Sequence, residues 1–221
     1  MINKLIIIIF LGSFGLSSSK SNQILLNYLK DDNEWILIDS QNDNTRIFEK
    51  NIPKMSLNAL KVEKIIEINP EEVFKVVMDI ENYSDVMDNE SMVSYIIGVK
   101  DNHIYAYNSF SIPIPFINDR HYFFKINRIS DNEINWTLVS QEEVVSSRQL
   151  KKILNKNKEA VYINYGAGMW KIDQVSENLN KVSYALYMDS GGQLSNYLND
   201  LLVSESIILL FKGVLNKSKG F

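Results

Sequence analysis

Cysteine is absent from the 221 residues of this chain. That one absence excludes disulfides, thiol nucleophiles and cysteine-ligated metal centres together. Histidine is scarce: His103 and His121 are the two present, too few for a histidine-rich metal site. A formal charge of −4 leaves no surplus of lysine and arginine for reading phosphates, so a nucleic-acid partner is not expected. Also missing are a Gly-rich phosphate loop, an HExxH helix and a GxSxG nucleophile elbow, and no cofactor or metal is implied. What the chain has in quantity is apolar side chains, 45% of the total, which suffice for one substantial core at this length.

The longest apolar-rich run lies at the start, where Lys4 precedes Leu5 to Leu16 and the small residues Ser17, Ser18 and Ser19 follow. It is shorter than the roughly 18 apolar residues of a membrane span and has the layout of a secretory signal peptide. The expected division is a signal peptide over 1–19 and one domain over 20–221, exported to a periplasm or the extracellular space. An uncleaved N-terminal anchor is the alternative.

Beyond it, Ile24, Leu25, Tyr28 and Leu29 have the spacing of a helix with one buried face, predicted over Gln23 to Lys30. Trp35 to Asp39 and Thr45 to Lys50, separated by turn residues, predict a hairpin, and alternation from Leu60 to Ile68 predicts a third strand. Asn69-Pro70-Glu71-Glu72 announces a helix: a capping side chain, a proline whose missing N–H costs nothing, and acids at the positive end of the dipole. From Met92 to Asp189 the pattern is almost wholly strands, predicted over Met92 to Val99, His103 to Ser111, Arg120 to Ile129, Glu133 to Ser140, Ala160 to Val175 with a break near Gly166, and Lys181 to Asp189. The polar stretch Glu142 to Glu159 reads as a long loop. A closing helix of about six turns starts near Leu194, and its segment Ile207 to Phe211 is apolar on every side.

A curled antiparallel sheet has a face that must be covered, and the closing helix is long enough to cover it. The predicted class is therefore α+β, a helix-grip arrangement of about nine antiparallel strands wrapped around a long C-terminal helix. Three local motifs carry a likeness to a known family: IPIPFINDRHYFF (Ile112 to Phe124), GAGMWKI (Gly166 to Ile172) and MDSGGQLSNYLND (Met188 to Asp200). With them the chain resembles the START (StAR-related lipid transfer) family of the helix-grip, Bet v 1-like superfamily, from roughly Trp35 onward. The chain departs from the family's pattern at His121, where an acid is common after the strand-starting arginine, and at Gln193, where an aromatic is common after the paired glycines.

The resemblance implies an apolar tunnel between sheet and closing helix, and strand parity assigns its walls. Even positions group Arg120, Tyr122 and Phe124, then Trp136 and Leu138, then Trp170, then Tyr184, Leu186 and Met188. Leu194, Leu198, Leu201 and Leu202 of the closing helix are expected opposite them. Arg120 is the one charge on that face, to be paired by a ligand acid or by Asp119. The expected ligand is a lipid, fatty acid or sterol, bound without catalysis by a monomer that contacts membranes transiently. The Glu142 to Glu159 segment, with its lysines, and the closing helix are expected to gate the tunnel. The alternatives are a polyketide cyclase/aromatase-like enzyme using Arg120, His121 and a tunnel tyrosine in the same cavity, and a partner-binding envelope protein with a filled interior.

Overall fold

The computed structural model describes residues 18–112, 114–191 and 196–220, with the side chains of 18–20 and 196–202 left aside. Most of the expected signal segment, together with Leu194, therefore lies outside the described residues. For Leu198, Leu201 and Leu202, backbone position alone is described.

The chain runs α1 (Ser18–Lys30), β1 (Ile36–Ser40), β2 (Arg46–Asn51), β3 (Asn58–Ile66), α2 (Pro70–Met78), a 3-10 turn (Ile80–Asn82) with α3 (Tyr83–Val86), then β4 (Val93–Lys100), β5 (His103–Phe110), β6 (Arg120–Ser130) and β7 (Glu133–Leu138). After α4 (Gln141–Ser146) and α5 (Arg148–Lys156) come β8 (Val161–Tyr162), β9 (Tyr165–Gln174), β10 (Asn180–Asp189) and α6 (Asn196–Ser218). The strands form one sheet in the order β1-β2-β3-β10-β9-β7-β6-β5-β4, and every pairing along that path is antiparallel. β8 lies off the path and pairs parallel with β6. Nine strands in the path and one long closing helix make this the α+β helix-grip arrangement expected from the element order.

Residues of even parity face α6. Phe124, Ile126, Ile134, Trp136, Trp170, Ile172, Tyr184 and Leu186 form one buried cluster with Ile207, Phe211, Val214 and Leu215 of that helix and with α2. Trp170 stacks on its cross-strand partner Tyr184 (ring centroids 4.3 Å apart) and on Phe211 of α6 (5.9 Å). α2 is capped as its sequence announced: Asn69 Oδ1 accepts from the Glu71 N–H at 3.0 Å, with Pro70 in the first turn.

The outer face is covered as well. Leu25, Leu26 and Leu29 of α1 bury Ala167, Met169, Ala185 and Tyr187. The fully buried Asn22 holds α1 in place by donating to the carbonyls of Leu138 (3.0 Å) and Asn164 (2.9 Å) and accepting from Gly166 N–H (3.0 Å). These bonds sit where the predicted strand over 160–175 is interrupted, at Ile163 and Asn164 between β8 and β9 rather than at Gly166. Lys50, also buried, donates to the carbonyls of Tyr28 (3.0 Å) and Asp31 (2.9 Å), placing a cation at the negative end of α1.

One expectation is overturned here. The stretch Glu142 to Glu159 is not a loop but two short helices. Ser140 and Glu143 close a reciprocal capping box (3.2 and 3.1 Å), and Ser147 caps α5 through Leu150 N–H. The S-x-x-E signature was present in the sequence and marks a helix start. Val144 and Leu150 then bury Tyr107, Phe123 and Val139 on the outer face of β5, β6 and the end of β7.

α6 approaches α3 so closely that a Cβ on Gly213 would stand 1.9 Å from the Val86 carbonyl oxygen. Backbone cannot yield there as a flexible side chain can. Gly213→Ala is expected to destabilise the fold by about 3 kcal/mol or more, lowering Tm by roughly 10 °C in a domain of this size; calorimetry of the two proteins checks it.

Candidate functional site

Although both faces of the sheet are covered, the space between its inner face and α6 is not filled. A cavity of about 320 Å³ lies there, at the lower end of the range of roughly 300–1,000 Å³ typical of small-molecule sites. Its walls come from the sheet through Phe110, Tyr122, Phe124, Trp136, Trp170 and Tyr184, continued by Leu186 and Met188 at the end of β10. Its roof is α6 through Val203, Leu209 and Leu210, and one side is closed by Tyr83, Met87 and Met92 from the α3 region. A second space of about 120 Å³ adjoins it, sharing Met188 and Val203 and reaching Ile38, Leu57 and Leu60.

Local backbone chemistry makes this room. Trp136 faces Gly168 across the β7–β9 pair, and a Cβ on Gly168 would stand 2.5 Å from the indole. The absence of a side chain there lets the ring lie against β9 instead of rising into the interior. Gly166 does the same for Leu138, at 2.9 Å.

α6 is not uniform along its length. Ile207, Phe211, Val214 and Leu215 are buried, whereas Leu209 is 54% exposed and also lines the cavity. The run Ile207 to Phe211, apolar on every side, is thus not buried all round: one side packs on the sheet and another borders the opening. Salt bridges Lys217–Asp85 (2.5 Å) and Lys212–Asp43 (3.7 Å) pin the C-terminal half of the helix.

Of the residues named from strand parity, Tyr122, Phe124, Trp136, Trp170, Tyr184, Leu186 and Met188 come together on the cavity wall. Two do not. Leu138 is buried on the same face but outside the lining. Arg120 is 2% exposed, as its parity demands, yet its guanidinium is used by the protein itself. Nε donates to Ser190 O at 2.8 Å, Nη2 to Gly191 O at 3.3 Å, and Nη1 to Asn118 O. Among the described residues no salt bridge joins it to Asp119, so the expected acid partner is replaced by backbone carbonyls. Arg120 braces the start of β6 against the turn that leads from β10 to α6, where Gly191 takes a φ of +67°.

His121 is on the reverse side of β6, buried at 1% exposure, with Nδ1 3.2 Å from Tyr107 Oη. Arg120, His121 and the tunnel tyrosines are therefore not brought together. Burial lowers the His121 pKa. The helices α4 and α5 also pack on that outer face, and none of their residues lines the cavity, so the gate expected there is not at the cavity. Among the described residues no group of His, Cys, Asp and Glu is placed to hold a metal ion.

Sequence reasoning missed the wall contributed by Tyr83, Met87 and Met92, and missed Asn108 and Phe110. The β5 residues were within reach, because Asn108 pairs with Tyr122 and Phe110 with Arg120. Inward parity on one strand dictates it on the next.

The cavity tyrosines are strongly desolvated. Burial holds the pKa of Tyr83, Tyr122 and Tyr184 above the ordinary phenol value, and neighbouring phenolates add repulsion at Tyr83 and Tyr184. A pKa raised on folding gives stability that is fully present below about pH 10 and is lost as pH climbs through the folded-state values. Phenolate absorbance of these three is expected to rise only together with loss of the near-ultraviolet dichroism. Ionisation of Tyr83, Tyr122 and Tyr184 at ordinary phenol pH in an intact fold, read with single Tyr→Phe variants, is the contrary outcome.

Comparison with sequence-family profiles finds no match, and comparison with curated sequences finds none. Comparison of folds does. The STAR-related lipid transfer protein of Xanthomonas axonopodis superposes with a TM-score of 0.67 at 18% identity, over 85% of this chain and 99% of that one. Human StAR-related lipid transfer protein 5 gives 0.65 at 16% identity, over 92% and 95%, and human STARD10 gives 0.63 at 13%, over 91% and 81%. With a long closing helix on one face of a nine-strand antiparallel path, this chain has the START-like helix-grip fold.

Proposed function

We propose that this chain binds a single apolar molecule, a lipid, fatty acid or sterol, in the space beneath α6 and carries or senses it without catalysis. The observation that supports this most is the unfilled cavity of about 320 Å³ walled by aromatic and aliphatic side chains. A folded interior normally packs to near-crystalline density, and a void of this size forfeits the contacts of every side chain around it. Apolar ligand surface transferred there contributes about 25 cal/mol per Å². The fold neighbours named for lipid transfer point the same way.

Access is along the face of α6 that carries Leu209 at the opening, while the buried stack on Trp170 holds the face of Ile207 and Phe211 and the salt bridges hold the C-terminal turns. Phe116, fully exposed on the β5–β6 connection that begins at the cavity-lining Ser111 and Ile112, is the natural first contact with a bilayer. On this reading the residues preceding α1 export the protein, and a monomer meets the membrane transiently. The pair Arg120 and His121 has no place in this function.

Native mass spectrometry of the purified protein, followed by solvent extraction, tests it. The expected spectrum has a bound hydrophobe in one-to-one ratio, removed by extraction and restored by incubation with vesicles. An apo mass throughout, with no uptake of a fluorescent fatty acid or sterol, contradicts it. Leu210→Trp, which places a large ring in the roof of the cavity, is expected to lower uptake by about tenfold or more while leaving the helical content unchanged.

A further inference from the structure

Deep in the wall of the apolar cavity lies a polar pair, Asn108 and Tyr122. Asn108 is 2% exposed on β5, directly opposite Tyr122 on β6, and its Nδ2 donates to Tyr122 Oη at 3.0 Å. That bond uses the phenol oxygen as acceptor, which leaves the Tyr122 O–H hydrogen available to donate. Asn108 Oδ1 has no hydrogen-bond partner at all. A buried amide oxygen without a protein partner costs about 1–3 kcal/mol, and such groups are rare in folded proteins.

The carbonyl is shielded where it stands, so contact with a ligand requires the soft terminal amide torsion to turn it toward the cavity that the residue lines. Exchanging the amide's oxygen and nitrogen does not change the outcome. The phenol would then donate to Oδ1, leaving an N–H to donate and the phenol oxygen to accept. In either orientation the pair offers one donor and one acceptor.

Charge narrows the ligand further. Among the described residues that line the cavity there is no lysine, arginine or histidine, and the one carboxylate is Glu205, exposed on α6. The nearby guanidinium of Arg120 is committed to backbone carbonyls. An ionised carboxylate or phosphate buried here would find no cationic donor free to pair with it, and such a burial is costly.

From this we infer that the ligand is an uncharged hydrophobe bearing a hydroxyl group, which donates to Asn108 and accepts from Tyr122 at the deep end of the cavity. The inference rests on the apolar-ligand reading above and adds the polar group that orients the ligand. A hydroxyl supplies both complementary roles on one atom. An ether or ester oxygen accepts but leaves the asparagine oxygen unpaired, and a carboxylate only accepts.

Isothermal titration of the delipidated protein at about pH 8 with three matched probes tests this: 1-decanol, 1-methoxydecane and decanoate. The methyl ether is the more apolar, so burial alone ranks it above the alcohol. Recognition of the hydroxyl predicts the reverse, with 1-decanol tighter than 1-methoxydecane by about tenfold and decanoate weakest. In Asn108→Leu the preference for the alcohol is expected to collapse while the ether binds as before, and in Tyr122→Phe, which removes the donor that both oxygens accept from, alcohol and ether are both expected to weaken. Methoxydecane equal to or tighter than decanol in the unaltered protein overturns the inference and leaves the apolar-ligand reading standing, and decanoate tighter than decanol does likewise. Binding of none of the three sinks that reading, and this one with it. Because the three-probe ranking needs no variant, a folding failure of Asn108→Leu leaves the test intact.

Discussion

The contact on which the rest depends is the stack of Trp170 with Tyr184 beside it and Phe211 above it, which fastens one helix to one face of the sheet. Aromatic pairs contribute about 0.5–1.5 kcal/mol beyond their area, and this one decides where α6 is held. The buried residues Ile207, Phe211, Val214 and Leu215 lie on the face it holds. Beside that face Val203, Leu209 and Leu210 line the cavity, Val203 and Leu210 also packing at the edge of the core. A single rod is thus anchored along one face and borders a void along another.

A void under a helix is costly, and the outer face of the sheet supplies the stability that the inner face forgoes. α1 seals β9 and β10 with its leucines and is held by two buried polar side chains, Asn22 and Lys50. α4 and α5 seal β5 and β6 around Phe123 and Tyr107. With its back fully packed, the sheet holds its aromatic side chains in position around the empty space. Gly166 and Gly168 contribute by omission: they let Leu138 and Trp136 lie close to β9, so the wall is flat where a larger residue would have pushed it inward.

Much of this was legible in the sequence, for reasons that also explain what was not. Strand parity is a rigid rule, so one correct strand boundary placed Tyr122 and Phe124 inward, and the same arithmetic placed Trp136, Trp170, Tyr184, Leu186 and Met188. The helix start at Asn69 was readable because a cap, a proline and two acids agree. Parity says which face a side chain occupies and nothing of what its polar end meets there. Arg120 was placed inward correctly, but its carbonyl partners at Ser190 and Gly191 are 70 and 71 residues away and follow no local rule. The stretch Glu142 to Glu159 reads as a loop because its lysines mask a narrow apolar stripe, though the capping box at Ser140 marks a helix. Tyr83, Met87 and Met92 reach the cavity through tertiary packing of a short irregular connection, for which no sequence period exists.

Ligand binding depends on whether the space beneath α6 is real. A high-resolution crystal structure of the purified protein, grown with and without xenon pressurisation, addresses it directly, since dry apolar cavities take up xenon. The expected result is density bounded by Trp136, Trp170, Tyr184 and Leu210, either an elongated hydrophobe that has come through purification or xenon in its place. Leu209 and Leu210 packed directly on Phe124 and Trp136, with neither hydrophobe nor xenon between them, would contradict it.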